Sequence, residues 1–171
     1  MAGVPVPTSP LRLEAFVTES LRPFLGPSIA LLHFRGYAHQ TTRGELVAGT
    51  EQAVMEPSQS LGSTLGFIRD AAQKFVRVMP RLAGVRVIRQ WAGVVDVSPD
   101  LAPVLGPVEE LEGFFLDCGW VYGFMGAPAA GKLLALAIAS GKLPDVVAPF
   151  QLRRFREGRP IVESSLVVAQ Q

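Results

Sequence analysis

The chain has 171 residues, of which 49% are hydrophobic and 18% are charged, and its net charge at pH 7 is +1. This length and composition predict one globular domain with its own core and exclude a disordered chain. The near balance of 16 basic and 15 acidic residues gives no electrostatic reason to expect nucleic acid as a partner. A mean hydropathy of +0.30 indicates that the chain buries part of its surface against something else.

Cysteine use and hydropathy bear on the compartment. Cys118 is the only cysteine, which excludes an internal disulfide framework and is typical of a reducing compartment. No uninterrupted apolar run reaches the roughly 18 residues of a membrane span, and the first residues lack the charged and apolar regions of a signal peptide. We therefore expect a cytoplasmic protein without a membrane span.

The first part of the chain has the pattern of β-structure. Alternating apolar residues predict a strand over Leu11 to Thr18, and an apolar run predicts a second strand over Ile29 to Phe34. Tyr37 to Gln40 and Glu45 to Gly49 flank Thr41 to Gly44, a segment with turn composition that ends in glycine. This arrangement predicts a hairpin.

A helix and further extended segments follow. Apolar residues recur at helical spacing from about Leu61 to Met79, and Pro80 ends the predicted helix. Residues Val85 to Val97 are strand-like. Ser98 to Asp100 predicts a turn, and Pro103 to Gly106 predicts a short extended piece.

A strand, a glycine-rich loop and a helix are then predicted in succession. The apolar run Phe114 to Leu116 indicates a buried strand, and Gly119, Gly123 and Gly126 follow it. Pro128 suits the first turn of a helix, because it has no N–H to lose there. This order presents free N–H groups and the positive end of a helix to an anion or an electron-rich ring.

The predicted helix continues to about Ser140, where Gly141 supplies a stop. Leu133 to Ile138 is apolar on every face of this helix. A helix of that kind is expected to be buried on all sides.

Two patterns suggest ligand chemistry but have simpler explanations. Gly126 to Lys132 nearly matches a phosphate-binding loop, but Leu133 stands where Ser or Thr would hold magnesium, so a helix start with close packing is favoured. His33 and His39 have no clear carboxylate or cysteine partner. We therefore expect no metal site and interpret both as strand residues.

The remaining candidates for chemistry are interpreted as structural, and spacing identifies no catalytic residue. Cys118 is interpreted as a small buried hydrophobe, since no base stands beside it. Ser98 and Asp100 are interpreted as turn formers. Three arginines near the end of the chain are expected on a solvated helical face, although they could pair with acids of a partner. They are Arg153, Arg154 and Arg156.

Three segments, in this order, resemble the motifs of D-amino-acid-oxidase-type flavoproteins. Trp91 to Gly106 resembles their run of tryptophan, small residue, glycine, proline-aspartate and proline-x-x-glycine. Cys118 to Gly131 resembles their C-terminal flavin loop and helix, and Ala148 to Phe155 resembles their closing segment. The resemblance covers the chain from about Leu11 onward. It is strongest to the beta subunits of heteromeric sarcosine oxidase and to dye-linked proline, hydroxyproline and opine dehydrogenases.

The resemblance implies an α+β fold. The expected fold is a mixed, mainly antiparallel sheet of the substrate-domain type with flanking helices, plus a terminal strand-loop-helix that belongs to a flavin domain. These enzymes begin with a Rossmann half that carries Gly-x-Gly-x-x-Gly and holds the FAD pyrophosphate, and this motif does not occur here. The resemblance therefore implies that residues 1–171 are one domain, the C-terminal half of the family, and that the apolar helix packs on the Rossmann sheet in the intact enzyme.

The resemblance also implies FAD as the cofactor and assigns residues to it. The helix that begins near Gly123, Phe124 and Met125 would face the pyrimidine end of the flavin and stabilise negative charge there on reduction. Met125 stands where sarcosine oxidases usually have a lysine that contacts the substrate carboxylate, a contact that methionine cannot make. The implied cofactor-binding residues are Gly93, Gly119, Trp120, Gly123, Phe124 and Met125.

Gly93 lies near a position where some monomeric relatives attach FAD through cysteine. A glycine there implies that FAD is not attached covalently at that point.

Two functions are weighed. In the first, the chain is a fragment or split subunit of an FAD-dependent oxidoreductase that oxidises a secondary amine or amino acid, such as sarcosine, proline or an opine. In the second, it is a non-catalytic, self-associating module derived from such an enzyme by truncation. A phosphate-loop nucleotide binder ranks last. The expected partners are a small amine or amino acid and either further copies of this chain or a chain that carries the Rossmann half.

Overall fold

The protein separates into two compact units. The computed structural model describes residues 2–51, 57–121 and 123–161. One unit consists of residues 11–94, and the other of the residues up to 10 and from 95 onward. The expectation that residues 1–171 form a single domain stays a prediction.

The unit of residues 11–94 is built on a five-stranded sheet. Its strands are β1 (Ser9–Ser20), β2 (Ile29–Leu31), β3 (Gly36–Gln40), β4 (Glu45–Thr50) and β5 (Val87–Val97). Their order is β2-β3-β4-β1-β5, and the pairs β2–β3, β3–β4 and β4–β1 are antiparallel. The predicted hairpin between β3 and β4 is confirmed, and Gly44 closes its turn with φ +100°, a value that favours glycine.

A helix, α1 (Leu65–Val78), packs on one face of this sheet. Phe67, Ala71 and Phe75 recur every four residues and are buried, and the Phe75 ring lies 5.6 Å from the ring of Phe16 on β1. The helix begins four residues later than the predicted Leu61, because the Thr64 hydroxyl caps it by accepting a hydrogen bond from the Phe67 N–H at 3.1 Å.

The second strand is shorter than predicted. β2 ends at Leu31, and Leu32–Phe34 forms a 3₁₀ turn. Arg35 ends this turn in the left-handed region, with φ +47°, and its N–H donates to the Leu32 carbonyl. The chain therefore turns back into β3 where the apolar run alone predicts continued strand.

The other unit contains a hairpin and a long helix. β6 (Val104–Pro107) pairs antiparallel with β7 (Phe115–Cys118), and α2 (Gly123–Ser140) follows. A 3₁₀ turn at Ala148–Phe150 and the short helix α3 (Arg153–Arg156) complete it. The core consists of Leu105, Ala130, Leu134 and Val147. Antiparallel sheets with flanking helices confirm the predicted α+β class.

The start of α2 differs from the prediction. The helix begins at Gly123, so Pro128 lies inside it rather than in its first turn. Gly123 and Gly126, predicted to be loop residues, occupy one side of the first turn and lie against Trp120. This packing accounts for an earlier start, although Pro128 cannot donate the hydrogen bond that a helix interior uses.

The prediction that α2 is buried on all sides is wrong. Ala130, Leu134 and Ala137 are buried, whereas Leu136 is 52% exposed and Ile138 is 59% exposed. The described residues of this unit cover only one side of the helix.

Length and composition also bear on the membrane expectation. Among the described residues, α2 is the one helix long and apolar enough to span a membrane, with mean hydropathy 1.3 and 17% of its length buried. By this measure α2 is long enough although Lys132 interrupts its apolar run, and the expectation of no membrane span stays a prediction. A single helix of this kind is weak evidence for a span.

Candidate functional site

Gly119 makes the turn that leaves β7. Its φ is +74°, and its N–H donates to Oδ2 of Asp96 at 2.7 Å. A Cβ at this position would lie 3.2 Å from the Cβ of Ser98. The backbone angle therefore favours glycine, the close neighbour leaves little room for a side chain, and the Gly119 N–H already has an acceptor.

Trp120 lies between this turn and the first turn of α2. Its indole Nε1 donates to Oδ1 of Asp117 at 2.6 Å. A Cβ added to Gly126 would overlap the six-membered ring of the indole, and one added to Gly123 would lie 3.2 Å from the Trp120 Cβ. These two glycines make room for tryptophan.

The start of α2 is open to ligands. Phe124 is 97% exposed and Met125 is 74% exposed. The first N–H groups of any α-helix lack acceptors within the helix, and the first turn of α2 has no acidic residue. The positive end of the helix is therefore not neutralised by its own sequence and can stabilise an anion or an electron-rich ring.

A cavity of about 490 Å³ lies beside this helix start. Trp120 and Met125 line it together with other apolar residues, among them Leu105, Leu133 and Phe150. Its volume is within the range of about 300–1,000 Å³ that is usual for small-molecule sites. It can accept an apolar group, but the described residues that line it include no charged side chain.

A buried ion pair between Asp100 and Arg154 lies in the same unit, next to residues that line the cavity. Arg154 donates from Nε to Oδ2 of Asp100 at 2.7 Å and from Nη2 to Oδ1 at 2.8 Å, with the side chains 4% and 5% exposed. Asp100 also accepts from the Ile161 N–H at 2.9 Å. Leu101, which follows Asp100 in the chain, and Ile161, which donates to it, both line the cavity. Leu101 has φ +62°.

The surroundings of Asp100 determine its charge. Burial on its own would raise the pKa of Asp100, but the hydrogen bonds from Arg154 and Ile161, the charge of Arg154 and the Ser98 hydroxyl outweigh it and lower the pKa from 3.8 to about 2. Asp100 is therefore a carboxylate at neutral pH and binds Arg154 as an anion.

The Cys118 thiol is shifted in the opposite direction. Burial raises its pKa, and the negative charges of Asp96 and Asp117 raise it further. A thiol held in the protonated form is a poor nucleophile, in agreement with its interpretation as a small apolar residue.

The predicted site residues fall into separate places. Gly119, Trp120, Gly123, Phe124 and Met125 lie together at the start of α2, within one unit. Gly93 lies on β5 in the other unit, with open space where a Cβ would be. None of these six assignments to FAD or substrate is tested, and each stays a prediction.

Sequence reasoning missed the residues that hold this region together. Arg154 was expected on a solvated face, but it is buried, because α3 turns it toward Asp100. Asp100, interpreted as a turn former, is the acceptor for that arginine. The two motifs contain both residues, but each motif offers two candidates, Asp96 and Asp100 in one and Arg153 and Arg154 in the other. Motif content alone therefore does not choose the pair.

Two alternatives find little support in the geometry. Gly126 to Lys132 lies inside α2, so its backbone does not form the loop that a phosphate cradle needs. Among the described residues, no group of three or more His, Cys, Asp and Glu is placed to hold a metal ion.

Comparison with known proteins places this α+β chain in a class of flavoproteins. Residues 1–137 match the family described as DAO, FAD dependent oxidoreductase. The chain therefore belongs to the DAO family of FAD-dependent oxidoreductases, as the sequence motifs indicated. The family resemblance, the antiparallel fold and FAD as the family's cofactor are confirmed.

Individual relatives show how much of the family fold is present. The chain is 32% identical to sarcosine oxidase subunit beta of Rhodobacter capsulatus over 165 residues, which cover 96% of this chain and 39% of that protein. The structure of L-proline dehydrogenase from P. horikoshii superposes with a TM-score of 0.82 at 29% identity, over 93% of this chain and 43% of the other. Glycine oxidase from Geobacillus kaustophilus has the same fold, with a TM-score of 0.77 at 21% identity, over 89% of this chain and 40% of the other. The chain thus spans about two fifths of the length of the proteins that it matches.

Proposed function

We propose that this chain supplies the substrate-side sheet and the flavin-facing helix of a cytoplasmic FAD-dependent oxidoreductase that oxidises a secondary amine or amino acid. The observation that carries the proposal is the family match over residues 1–137, which includes the open start of α2. The homologues include proteins named as oxidases and dehydrogenases of amines and amino acids. Since the chain spans about two fifths of their length, catalysis requires the remaining part of the family fold.

The residues at the start of α2 fit a flavin. Gly123, Phe124 and Met125 would present unpaired N–H groups and an uncompensated positive helix end to the electron-rich pyrimidine edge. The exposed Phe124 and Met125 side chains offer apolar surface to a planar ring. Gly119 contributes its conformation rather than a donor, because its N–H is bonded to Asp96.

FAD, when bound, supplies the redox chemistry by accepting a hydride from the carbon beside the substrate nitrogen. The chain's own contribution is to orient the ring and to exclude water from it. Met125 carries no charge and cannot bind a substrate carboxylate, so carboxylate recognition would fall to another residue. The names sarcosine oxidase and L-proline dehydrogenase favour a secondary amine as the substrate.

An absorption measurement tests the cofactor assignment. The purified chain is mixed with excess FAD, unbound FAD is removed, and the visible spectrum is recorded. A retained flavin band supports the proposed seat at α2. If no band is retained, the same titration with the N-terminal part of sarcosine oxidase subunit beta added as a separate chain tests whether that part completes the site. Absence of a band in both experiments would contradict the proposal.

A charge placed at the helix start locates the flavin. Phe124→Glu adds a negative charge next to the expected pyrimidine edge, and Phe124→Gln is the neutral control of similar size. Both changes are at a fully exposed position and should leave the fold intact. We expect Phe124→Glu to weaken FAD binding by roughly 5- to 10-fold relative to Phe124→Gln, the size of a helix-end charge effect of about 1 kcal/mol. Equal dissociation constants would place the flavin elsewhere.

The exposed side of α2 favours a second candidate. Leu136 and Ile138 present apolar surface that a non-catalytic chain would cover by association with further copies of itself. Self-association without retained FAD would support this alternative.

A further inference from the structure

One feature of the α2 start is not explained by a cofactor. Gly126 is a helix residue with an ordinary negative φ, so no backbone angle requires glycine there. A Cβ at this position would overlap Cζ3 and Cη2 of Trp120, and a Cβ at Gly123 would lie 3.2 Å from the Trp120 Cβ. The neighbour that requires glycine at 126, and that leaves little room for a Cβ at 123, is a side chain of the protein itself.

The indole is fixed from its other edge as well. Nε1 of Trp120 donates to Oδ1 of Asp117 on β7 at 2.6 Å, at a solvent-exposed position. The ring therefore has one edge on the strand and the opposite edge on the first turns of the helix. It also packs against the core cluster of this unit.

We propose that Trp120 is a positioning residue, which locks the start of α2 against β7 through Asp117, Gly123 and Gly126. On this view the two glycines are small because of tryptophan and not because a flavin approaches them. One part of the inference rests on the proposed function, namely that the lock determines the position of the helix end relative to FAD.

The lock predicts a reversal in the effect of one substitution. Gly126→Ala introduces the methyl group that overlaps the indole, so it should disturb the helix start while Trp120 is present. Trp120→Phe removes the far atoms of the ring with which that methyl group collides. In the Trp120→Phe background, alanine should instead favour the helix, since alanine is the better helix former.

Hydrogen exchange of the intact chain measures this directly. Gly126→Ala should accelerate exchange of the backbone amides of residues 127, 129 and 130, the first that donate within the helix, by roughly tenfold, as local opening of the helix start would. In the Trp120→Phe background, the same substitution should leave exchange unchanged or slow it. Amides of residues 133–140 serve as the internal reference, because they lie beyond the contact with tryptophan.

A second pair of variants tests the hydrogen bond. Asp117→Ala removes the acceptor of the indole N–H, and Asp117→Asn retains an oxygen that can accept it. We expect faster exchange at the helix start for Asp117→Ala and near-normal exchange for Asp117→Asn. If both variants exchange alike, or if Gly126→Ala has the same effect in the parent chain and in the Trp120→Phe background, the lock is refuted.

The FAD titration separates the two proposals. If Gly126 is small to admit a flavin, Gly126→Ala should weaken FAD binding equally in both backgrounds. If the lock is correct, Gly126→Ala should weaken FAD binding with Trp120 present and cause no further loss in the Trp120→Phe background, relative to Trp120→Phe alone. A chain that retains no FAD defeats the proposed flavin seat, but the exchange measurements still decide the lock.

Discussion

At the scale of single residues, the contact between Asp100 and Arg154 is a buried ion pair in the unit that contains α2. Both side chains are almost fully buried, and the two parallel hydrogen bonds have the bidentate geometry that arginine forms with a carboxylate. The guanidinium also donates to the carbonyl oxygens of Phe150 and Ala102. One contact therefore joins the turn before β6, the 3₁₀ turn and α3.

Removal of Arg154 should be severe. Arg154→Met leaves the Asp100 carboxylate buried without its counter-ion, and we expect a loss of about 3–5 kcal/mol in the free energy of unfolding. Arg156→Met is the matched control on the same helix, because its side chain is 54% exposed and its pairs with Glu109 and Glu110 should contribute about 1 kcal/mol or less. Urea denaturation of both variants makes the comparison. Equal losses would mean that Arg154 is not buried as described.

The lowered pKa of Asp100 gives a pH dependence with a defined sign. The folded-state pKa of about 2 lies below the ordinary value of 3.8, so the ion pair stabilises the fold fully above pH 4 and loses this effect as the pH falls from 4 to 2. The contribution that is lost amounts to about 2 kcal/mol. Denaturation of the parent and of Asp100→Asn between pH 6 and pH 2 provides the test. The stability difference between them should shrink across this window, and a constant difference would contradict the assignment.

The same residues show where sequence reasoning was insufficient. Local composition around Asp100 predicts a turn, and three arginines within four residues predict a solvent-exposed helical face. The contact joins positions 54 residues apart in the chain, and no local pattern encodes that separation. Trp120 is a similar case, because its packing on Gly126 is visible only once the helix is known to begin at Gly123.

At the scale of elements, the sequence pattern predicted whether a segment is helix or strand better than it predicted where the segment begins and ends. The apolar spacing of α1 identified the helix but not its buried face, because Phe67 and Ala71 are buried while Leu61 and Leu65 are exposed. The first turn depends on the Thr64 cap. The alternation predicted β1 and the turn composition predicted the β3–β4 hairpin. All three strands have one face on the core formed with α1. Boundaries were missed where one residue decides them, as Arg35 does with its positive φ.

α2 is the element whose observed burial differs most from the burial that its composition predicts. It is apolar all round, yet this unit buries only one side of it. The position at which α2 begins depends on its packing against Trp120. Burial of its exposed side would depend on contact with another chain. An apolar helix that is half exposed indicates surface intended for contact with other protein.

At the scale of the whole molecule, the chain matches only part of the length of its family relatives. The matches cover nearly all of this chain but only about two fifths of sarcosine oxidase subunit beta and L-proline dehydrogenase. The fold and the family could be inferred from ordered motifs alone. The substrate could not, because the described cavity wall contains no charged side chain that would select one amino acid over another.

The exposed side of α2 leads to a prediction about association. In the absence of any other covering chain, we expect the purified protein to form dimers or larger oligomers through this side, because isolated apolar patches favour association in water. Replacing Leu136 and Ile138 together by lysine should shift the protein toward monomer by at least tenfold in the dissociation constant, since each buried aliphatic side chain contributes about 1.5–3 kcal/mol.

Sedimentation velocity over a range of concentrations measures this shift. Leu61→Lys is the control, because Leu61 is similarly apolar and 71% exposed but belongs to the other unit. It should leave the oligomeric state unchanged if α2 forms the contact. A parent chain that sediments as a monomer at every concentration would show that the exposed side of α2 does not associate with itself. An oligomer that persists in the double lysine variant would place the contact elsewhere on the molecule.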